Sequence, residues 1–265
     1  MAEEKKTTSA ANGRLWGSAA ADWAEIQEGM CRPVYLDVFE RIGLRSGMRY
    51  LDAGCGAGMA AQIARERGAQ VSGLDASENL LEVARQRVPD GDFRQGELES
   101  LPFADDSFDV VTGFNSFQYA GDRVAALGQA KRVAKPGATV VVMTWGRPEG
   151  MEAASLVAAL KPLLPAPPPG APGPFALSDE AALRGFAESA ELKPVGVFDV
   201  DCPWHYPDLQ AALRGLGSSG VAAKAIENSS KSEVDEAHEK ALAPFRQADG
   251  SYKVGSVFRY LVARG

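Results

Sequence analysis

Apolar residues recur along the chain with two different spacings, and the alternation between the two predicts where strands and helices lie. Short apolar runs of strand length are separated by segments whose apolar residues are three or four positions apart, as in a helix. Between residues 43 and 146 the strand-like runs are MRYLDAG, AQVSGLD, GDFRQG, FDVVTGF and ATVVVMTW. Helical patterns follow at residues 57–67, in SENLLEVARQRV and at about residues 122–134. Such alternation is typical of a mostly parallel sheet with helices on its faces.

The pattern continues beyond this core with two interruptions. Residues 147–176 are rich in proline, above all in LPAPPPGAPGP, which disfavours a regular element. Residues 207–246 have a helical pattern of their own. The core pattern otherwise resumes with a helix, a strand and a closing strand, in SDEAALRGFAESA, LKPVGVFDVD and YKVGSVFRYLVA.

These patterns divide the chain into a first segment, residues 1–43, and a domain, residues 44–265. The first segment is predicted to hold a polar tail and two helices, the second opening at Pro33, because proline suits a first helical turn. Together with residues 147–176 and 207–246 it would cap the carboxyl ends of the strands, where such sheets bind ligands. The alternative is that these segments pack as decoration or as a contact in a homodimer.

Composition and charge narrow the range of partners. The formal net charge is -7, so no basic surface indicates nucleic acid or anionic lipid as the partner. The three cysteines are far apart, which predicts free thiols and no zinc site. The first residues lack the apolar core of a signal peptide, and no stretch reaches the roughly 20 apolar residues that span a bilayer. We therefore expect a cytoplasmic protein.

The stretch LDAGCGAG places three glycines at alternate positions after the first predicted strand. Glycine has no Cβ and adopts positive φ, so such a turn lets the backbone approach a ligand closely. A tight turn without a ligand is the alternative, and Asp52 before the glycines makes the ligand site the better interpretation. A dinucleotide fingerprint would require glycine at position 59, where the chain has Met59.

This stretch resembles the first motif of the class I S-adenosylmethionine-dependent methyltransferases. Further stretches that fall where this family has its other motifs are VSGLDAS, QGELESLPFADDSFDVV, GFNSFQYA and RVAKPGATVVVMTW. The resemblance covers about residues 44–146 well and the later strands loosely. It implies an α/β fold with a Rossmann-like, mostly parallel sheet of seven strands, an antiparallel last strand and helical caps. It also implies S-adenosyl-L-methionine as the cofactor.

The resemblance also implies roles for individual residues. Asp75 would hold the two ribose hydroxyls, because one carboxylate has two acceptor oxygens. Glu97 would accept a hydrogen bond from the adenine amino group, with Glu99 as the competing carboxylate, and the Leu98 amide would reach the adenine ring. Asn115 would lie beside the methionine part of the cofactor. The other expected members of this site are Asp52, Ala53, Gly54, Gly56, Gly58 and Ala76.

The residues after the fourth predicted strand bear on the methyl acceptor. Family members that methylate nucleic acid bases typically have Asn or Asp, two prolines and an aromatic residue there, whereas this chain has Asn115, Ser116, Phe117 and Gln118. A small-molecule acceptor is therefore the better interpretation. Phe117, Gln118 and Tyr119 would face the transfer site or lie in the core.

Methyl transfer from a sulfonium is an in-line displacement that depends on alignment in a dry pocket, and a base matters only for a protonated acceptor. His205 is the candidate base, because it lies between a predicted strand and the helical insertion and histidine titrates near neutrality. Packing of a cap against the sheet is its alternative role. His238 is predicted to lie on a solvated helical face. Two other functions stay open, a protein that binds the methyl donor without catalysis and a Rossmann-type NAD(P) oxidoreductase.

Overall fold

The computed structural model describes residues 8–167 and 173–265, which surround one seven-stranded sheet. From edge to edge the strands are β3 (Asp92–Gln95), β2 (Gln70–Asp75), β1 (Arg49–Ala53), β4 (Phe108–Phe114), β5 (Ala134–Trp145), β9 (Val257–Arg264) and β6 (Lys193–Asp201). The first five are parallel, and β9 is antiparallel to both of its neighbours. The predicted fold class is confirmed, including the antiparallel last strand.

Helices cover both faces of the sheet. The helices of the described core are α3 (Arg32–Arg41), α4 (Met59–Glu66), α5 (Glu78–Arg87), α6 (Arg123–Val133) and α8 (Glu180–Ser189). Successive residues of a strand point to opposite faces, so Tyr50 packs with the layer of α3, α4 and α5, and Leu51 packs with the layer of α6 and α8. Both side chains are fully buried. The sheet is therefore the middle of three layers, and only its strand ends are free to bind a ligand.

The first described segment is more broken than the sequence predicts. It consists of α1 (Ser9–Trp16), α2 (Ala20–Asp22) and two further helical turns at Trp23–Gln27 and Glu28–Cys31, before α3 begins. Pro33 lies in the first turn of α3, as predicted. The single first helix of the prediction was wrong, because the chain bends over the edge of the sheet between Gly17 and Cys31.

The remaining α-helices and strands, which we call the cap after their predicted role, pack in two small apolar clusters. They are α7 (Ala153–Ala159), α9 (Leu209–Gly217), α10 (Gly220–Asn228), α11 (Lys231–Leu242), β7 (Trp204–Tyr206) and β8 (Tyr252–Val254). Part of the proline-rich stretch lies outside the described residues. No helix in the described ranges combines the length and the apolar character needed to cross a membrane.

Two local predictions in the cap were wrong. The stretch YKVGSVFRYLVA is two strands, because β8 pairs with β7 in a separate ribbon and β9 enters the main sheet after Ser256. His238 is 2% exposed on α11 instead of solvated. Its spacing of four residues from Val234 and Leu242 places it on the buried face of that helix, and burial lowers the pKa of its imidazole to about 4.

Candidate functional site

A cavity lies at the carboxyl ends of β1, β2, β3 and β4, beneath α1. Its empty space, including the part open to solvent, is about 770 Å³. Seven of the predicted site residues line it, namely Gly54, Gly56, Asp75, Ala76, Glu97, Leu98 and Asn115. The structure therefore brings together residues from the loops after four different strands.

The glycine loop is folded against the end of β2. The amides of Gly54 and Cys55 both donate to the Leu74 carbonyl, at 2.7 and 2.9 Å. Gly54 has a φ of +85°, and a Cβ added there would lie 2.3 Å from the Ser116 Cβ. A Cβ added at Gly56 would meet nothing closer than 3.7 Å. Gly54 is thus required by packing, whereas Gly56 leaves the face of the loop open to the cavity.

Asp75 is held by the backbone around it. The amide of Gly56 donates to Asp75 Oδ2 and the amide of Ser77 donates to Oδ1, each at 2.9 Å. Burial raises the pKa of Asp75, and these backbone hydrogen bonds oppose that effect. A carboxylate oxygen can accept more than one hydrogen bond, so both oxygens retain the capacity to bind a pair of neighbouring hydroxyls.

The other three predicted cofactor residues do not line the cavity. Asp52 is 1% exposed and accepts a hydrogen bond from the Thr112 hydroxyl at 2.9 Å. Ala53 is fully buried. A Cβ at Gly58 would lie 2.8 Å from the Ala84 Cβ, so this glycine permits close packing of α4 on α5. These residues support the loop from behind.

Glu97 and Asn115 line the cavity but already have protein partners. The Ser9 hydroxyl donates to Glu97 Oε1 at 2.7 Å, which leaves Oε2 for a ligand. Asn115 has a φ of +52°, and its side-chain oxygen accepts from Gln118 Nε2 at 3.0 Å. The competing carboxylate, Glu99, also lines the cavity and accepts the Asp122 amide at 3.0 Å.

The three residues expected to face the transfer site lie in different places. Tyr119 lines the cavity. Phe117 is 1% exposed and packs in the core beside α6. Gln118 bonds to Asn115 and lies outside the lining of this cavity.

The roof of the cavity comes from the first described segment. Thr8, Ser9, Asn12, Trp16 and Trp23 all line it. The sequence pointed to a cover containing the two tryptophans, but it did not identify the three polar residues. Their role depends on how closely α1 approaches the loop after β2: a Cβ at Gly13 would lie 2.3 Å from the Ala76 carbonyl oxygen. In the sequence, the only sign of this close approach is the pair Gly13 and Gly17, which lie four residues apart on one helical face.

A buried ion pair attaches this roof to the glycine loop. Glu28 is 3% exposed, pairs with Arg87 and accepts the Met59 amide at 3.1 Å. Arg87 also donates to the carbonyls of Ala57 and Ala24, at 2.9 and 2.8 Å. Burial raises the pKa of Glu28 and the Arg87 charge opposes it. The sequence contained no pattern that would have identified this pair.

The electrostatic character of the cavity is negative. Its described lining contains three carboxylates, those of Asp75, Glu97 and Glu99, and no Lys, Arg or His. Asp52 lies directly behind the loop, and burial raises the pKa of its carboxyl to about 7. A cavity with three carboxylates and no basic side chain in its described lining favours a ligand that carries positive charge.

His205 lies elsewhere. Its side chain is exposed on the outer face of the β7–β8 ribbon, opposite Lys253, and it is absent from the described lining of the cavity. Its assignment as a base therefore stays a prediction, without a contact to support it.

The comparisons with known proteins match this architecture. Residues 51–142 match a family model described as a methyltransferase domain. The chain is 37% identical over 111 residues to a demethylmenaquinone methyltransferase of Renibacterium salmoninarum, covering 42% of this chain and 47% of that protein. It is 32% identical over 178 residues to a malonyl-[acyl-carrier protein] O-methyltransferase of Erwinia billingiae, covering 67% and 66%.

Among solved structures, the YcgJ protein of Bacillus subtilis matches with a TM-score of 0.55 and 21% identity, covering 87% of this chain and 98% of that one. Similarity at this level concerns the fold. The chain spans about half the length of the first curated relatives that it matches.

Proposed function

We propose that this chain, which belongs to the class I S-adenosylmethionine-dependent methyltransferases, transfers the methyl group of its cofactor to a small-molecule acceptor. The observation that carries this proposal is the single anionic cavity in which the loops after β1, β2, β3 and β4 meet beneath α1. The two named relatives act on different acceptors by their names, so they support methyl transfer and leave the acceptor open.

The lining offers groups suited to each part of the cofactor. Glu97 and the Leu98 amide would hold the adenine edge, and Asp75 would hold the ribose hydroxyls. The open face of Gly56 and the side chain of Asn115 would adjoin the methionine part. Asp52, Ala53, Gly54, Gly58 and Ala76 would keep the surrounding backbone in place.

When bound, S-adenosylmethionine supplies a methyl group on a positively charged sulfur. The chain would contribute alignment and exclusion of water, because Trp16 of α1 and Trp23 cover the cavity opposite the loops after the strands. The carboxylates in the lining favour the positive charge of the donor before transfer. No proton transfer at His205 is part of this proposal, because that side chain is exposed away from the cavity.

Calorimetry with S-adenosylhomocysteine and with NAD tests the cofactor assignment. We expect binding of the nucleoside product and none of NAD; the reverse result would overturn the proposal in favour of an oxidoreductase.

Incubation with isotopically methyl-labelled donor and fractionated small-molecule extract tests transfer, with mass spectrometry of the labelled product as the readout. A labelled small molecule is expected. Donor binding without a labelled product in any fraction would instead indicate a protein that binds the donor without catalysis.

A further inference from the structure

Three aromatic rings form the wall of the cavity beneath α1. Trp16, Trp23 and Tyr119 all line it. The Trp16 ring centre lies 5.1 Å from that of Trp23 with an angle of 85° between the ring planes, and 5.4 Å from that of Tyr119 with an angle of 70°. At these distances and angles Trp16 is in edge-to-face contact with both other rings, and we call the three rings the aromatic box.

Each of the three aromatic residues lies against a different part of the fold. A Cβ added at Gly220 would lie 2.6 Å from Trp16 Nε1, so this indole packs directly on α10. Trp23 Nε1 lies 3.7 Å from the position of a Cβ at Gly56, which puts it beside the open face of the glycine loop. The carbonyl of Tyr119 accepts hydrogen bonds from Thr8 and Asn12, at 3.1 and 2.9 Å. The aromatic box therefore adjoins the place where the backbone is open to a ligand.

The charges around the box favour a cation. An aromatic face is electron-rich and attracts a positive group placed over it. The described lining of the same cavity holds the three carboxylates of Asp75, Glu97 and Glu99 and no basic side chain. Aromatic faces and carboxylates together are the surroundings in which quaternary and other onium groups bind.

We propose that Trp16, Trp23 and Tyr119 form an aromatic cage for an onium group, either a sulfonium or a substituted ammonium. This inference rests on the proposed function, which offers two sources of that chemistry: the sulfonium of the methyl donor, and the ammonium of an amine acceptor once it is methylated. The cage gives the cavity a preference for charged over neutral forms of the same ligand.

The first arm of the test compares S-adenosylmethionine with S-adenosylhomocysteine, which lacks the methyl group and the charge. Calorimetry on the parent, Trp16→Leu, Trp23→Leu and Tyr119→Leu gives the ratio of the two affinities. Loss of one ring is expected to lower the preference for the charged ligand by about three- to thirtyfold. Trp16→Phe and Trp23→Phe are the matched controls, because they keep an aromatic face and should retain most of the preference. Retained affinity for S-adenosylhomocysteine shows that a variant is folded.

The second arm uses tetramethylammonium and its neutral analogue tert-butanol, with binding followed by the indole N–H signals of the tryptophans. Tetramethylammonium is expected to bind to the parent more tightly than tert-butanol. If the Leu variants change only the ratio of the affinities for S-adenosylmethionine and S-adenosylhomocysteine, the cage binds the sulfonium. If they lose only the binding of tetramethylammonium, the cage binds an ammonium.

An unchanged ratio in the Leu variants, together with equal binding of tetramethylammonium and tert-butanol, would overturn the cage. If the parent binds neither S-adenosylmethionine nor S-adenosylhomocysteine, the proposed function fails, and the tetramethylammonium arm still decides on the cage. A Leu variant that does not fold leaves the other two positions to carry the comparison.

Discussion

Asp75 shows how much of this site is prepared before a ligand arrives. Backbone amides on both sides, from Gly56 and Ser77, fix the two carboxylate oxygens. A side chain held in this way loses little conformational entropy on binding, so its remaining acceptor capacity is available at low cost. The hydrogen bond from Gly56 also connects the glycine loop to the end of β2, and Asp75 therefore serves both the fold and the ligand.

The first prediction concerns Asp75→Asn. The substitution keeps the size of the side chain but removes its charge and one acceptor oxygen, so S-adenosylhomocysteine should bind roughly ten- to a hundredfold more weakly. Calorimetry measures this. Asp90→Asn is the control, because Asp90 pairs with Arg65 at the surface, outside the described lining of the cavity. Equal affinity of the two variants would show that Asp75 does not hold the ribose.

The second prediction concerns the pH dependence of stability at Asp52. Burial raises the pKa of this carboxyl to about 7 from its ordinary value of 3.8. Between these values the folded state keeps a proton that the unfolded state has released, so the free energy of unfolding falls as the pH rises from about 4 to about 7. Each pKa unit corresponds to about 1.4 kcal/mol.

Asp52→Asn removes this titration but keeps an acceptor for the Thr112 hydroxyl. We expect the variant to lose stability less steeply than the parent across this pH range and to be the more stable of the two at pH 8. Urea unfolding at several pH values gives the comparison. Parallel curves for parent and variant would show that the Asp52 carboxyl is ionised in the folded state throughout.

At the scale of elements, the sequence predicted what depends on local patterns. The core strands and helices have clear apolar periods, and the side chain of Ser77 caps α5 by accepting the Leu80 amide. The bends between Gly17 and Cys31 and the break at Ser256 depend on contacts between distant segments. The same holds for Ser9, Asn12 and Glu28, whose hydrogen-bond partners lie 31 to 107 residues away along the chain. Local periodicity does not carry that information.

The third prediction tests the docking of α1. Alanine favours a helix over glycine by about 1 kcal/mol, so Gly13→Ala would strengthen an isolated α1. In the docked helix the added Cβ would meet the Ala76 carbonyl oxygen at 2.3 Å. We therefore expect Gly13→Ala to weaken binding of S-adenosylhomocysteine by about tenfold, since a shift of α1 disturbs several of the lining residues.

Gly128→Ala in α6 is the matched control for this substitution. A Cβ there would meet nothing within 4 Å, so the control gains helix propensity without a clash. If Gly13→Ala binds as tightly as Gly128→Ala, α1 is not part of the cofactor site.

At the scale of the whole molecule, the first segment connects the cofactor cavity to the cap. Trp16 packs on Gly220 at the start of α10, and Arg214 of α9 pairs with Asp22 and Glu25. Arg14 pairs with Glu227 at the far end of α10. Exposed ion pairs contribute little individually, so the contact of Trp16 with Gly220 is a stronger link between α1 and α10 than the pair of Arg14 with Glu227.

The fourth prediction follows from this link. A ligand that fixes α1 from below should also hold α9 and α10, and S-adenosylhomocysteine is therefore expected to slow amide exchange in both cap helices as well as around the cavity. In Gly220→Ala the added Cβ displaces the Trp16 ring, so ligand binding should still slow exchange around the glycine loop but no longer in α10. Gly217→Ala in α9 is the control, because its Cβ would meet nothing within 4 Å and the link stays intact. Exchange in α9 and α10 that is the same with and without ligand in the parent would show that the cap is independent of the cofactor, and acceptor binding would then have to order the cap by itself.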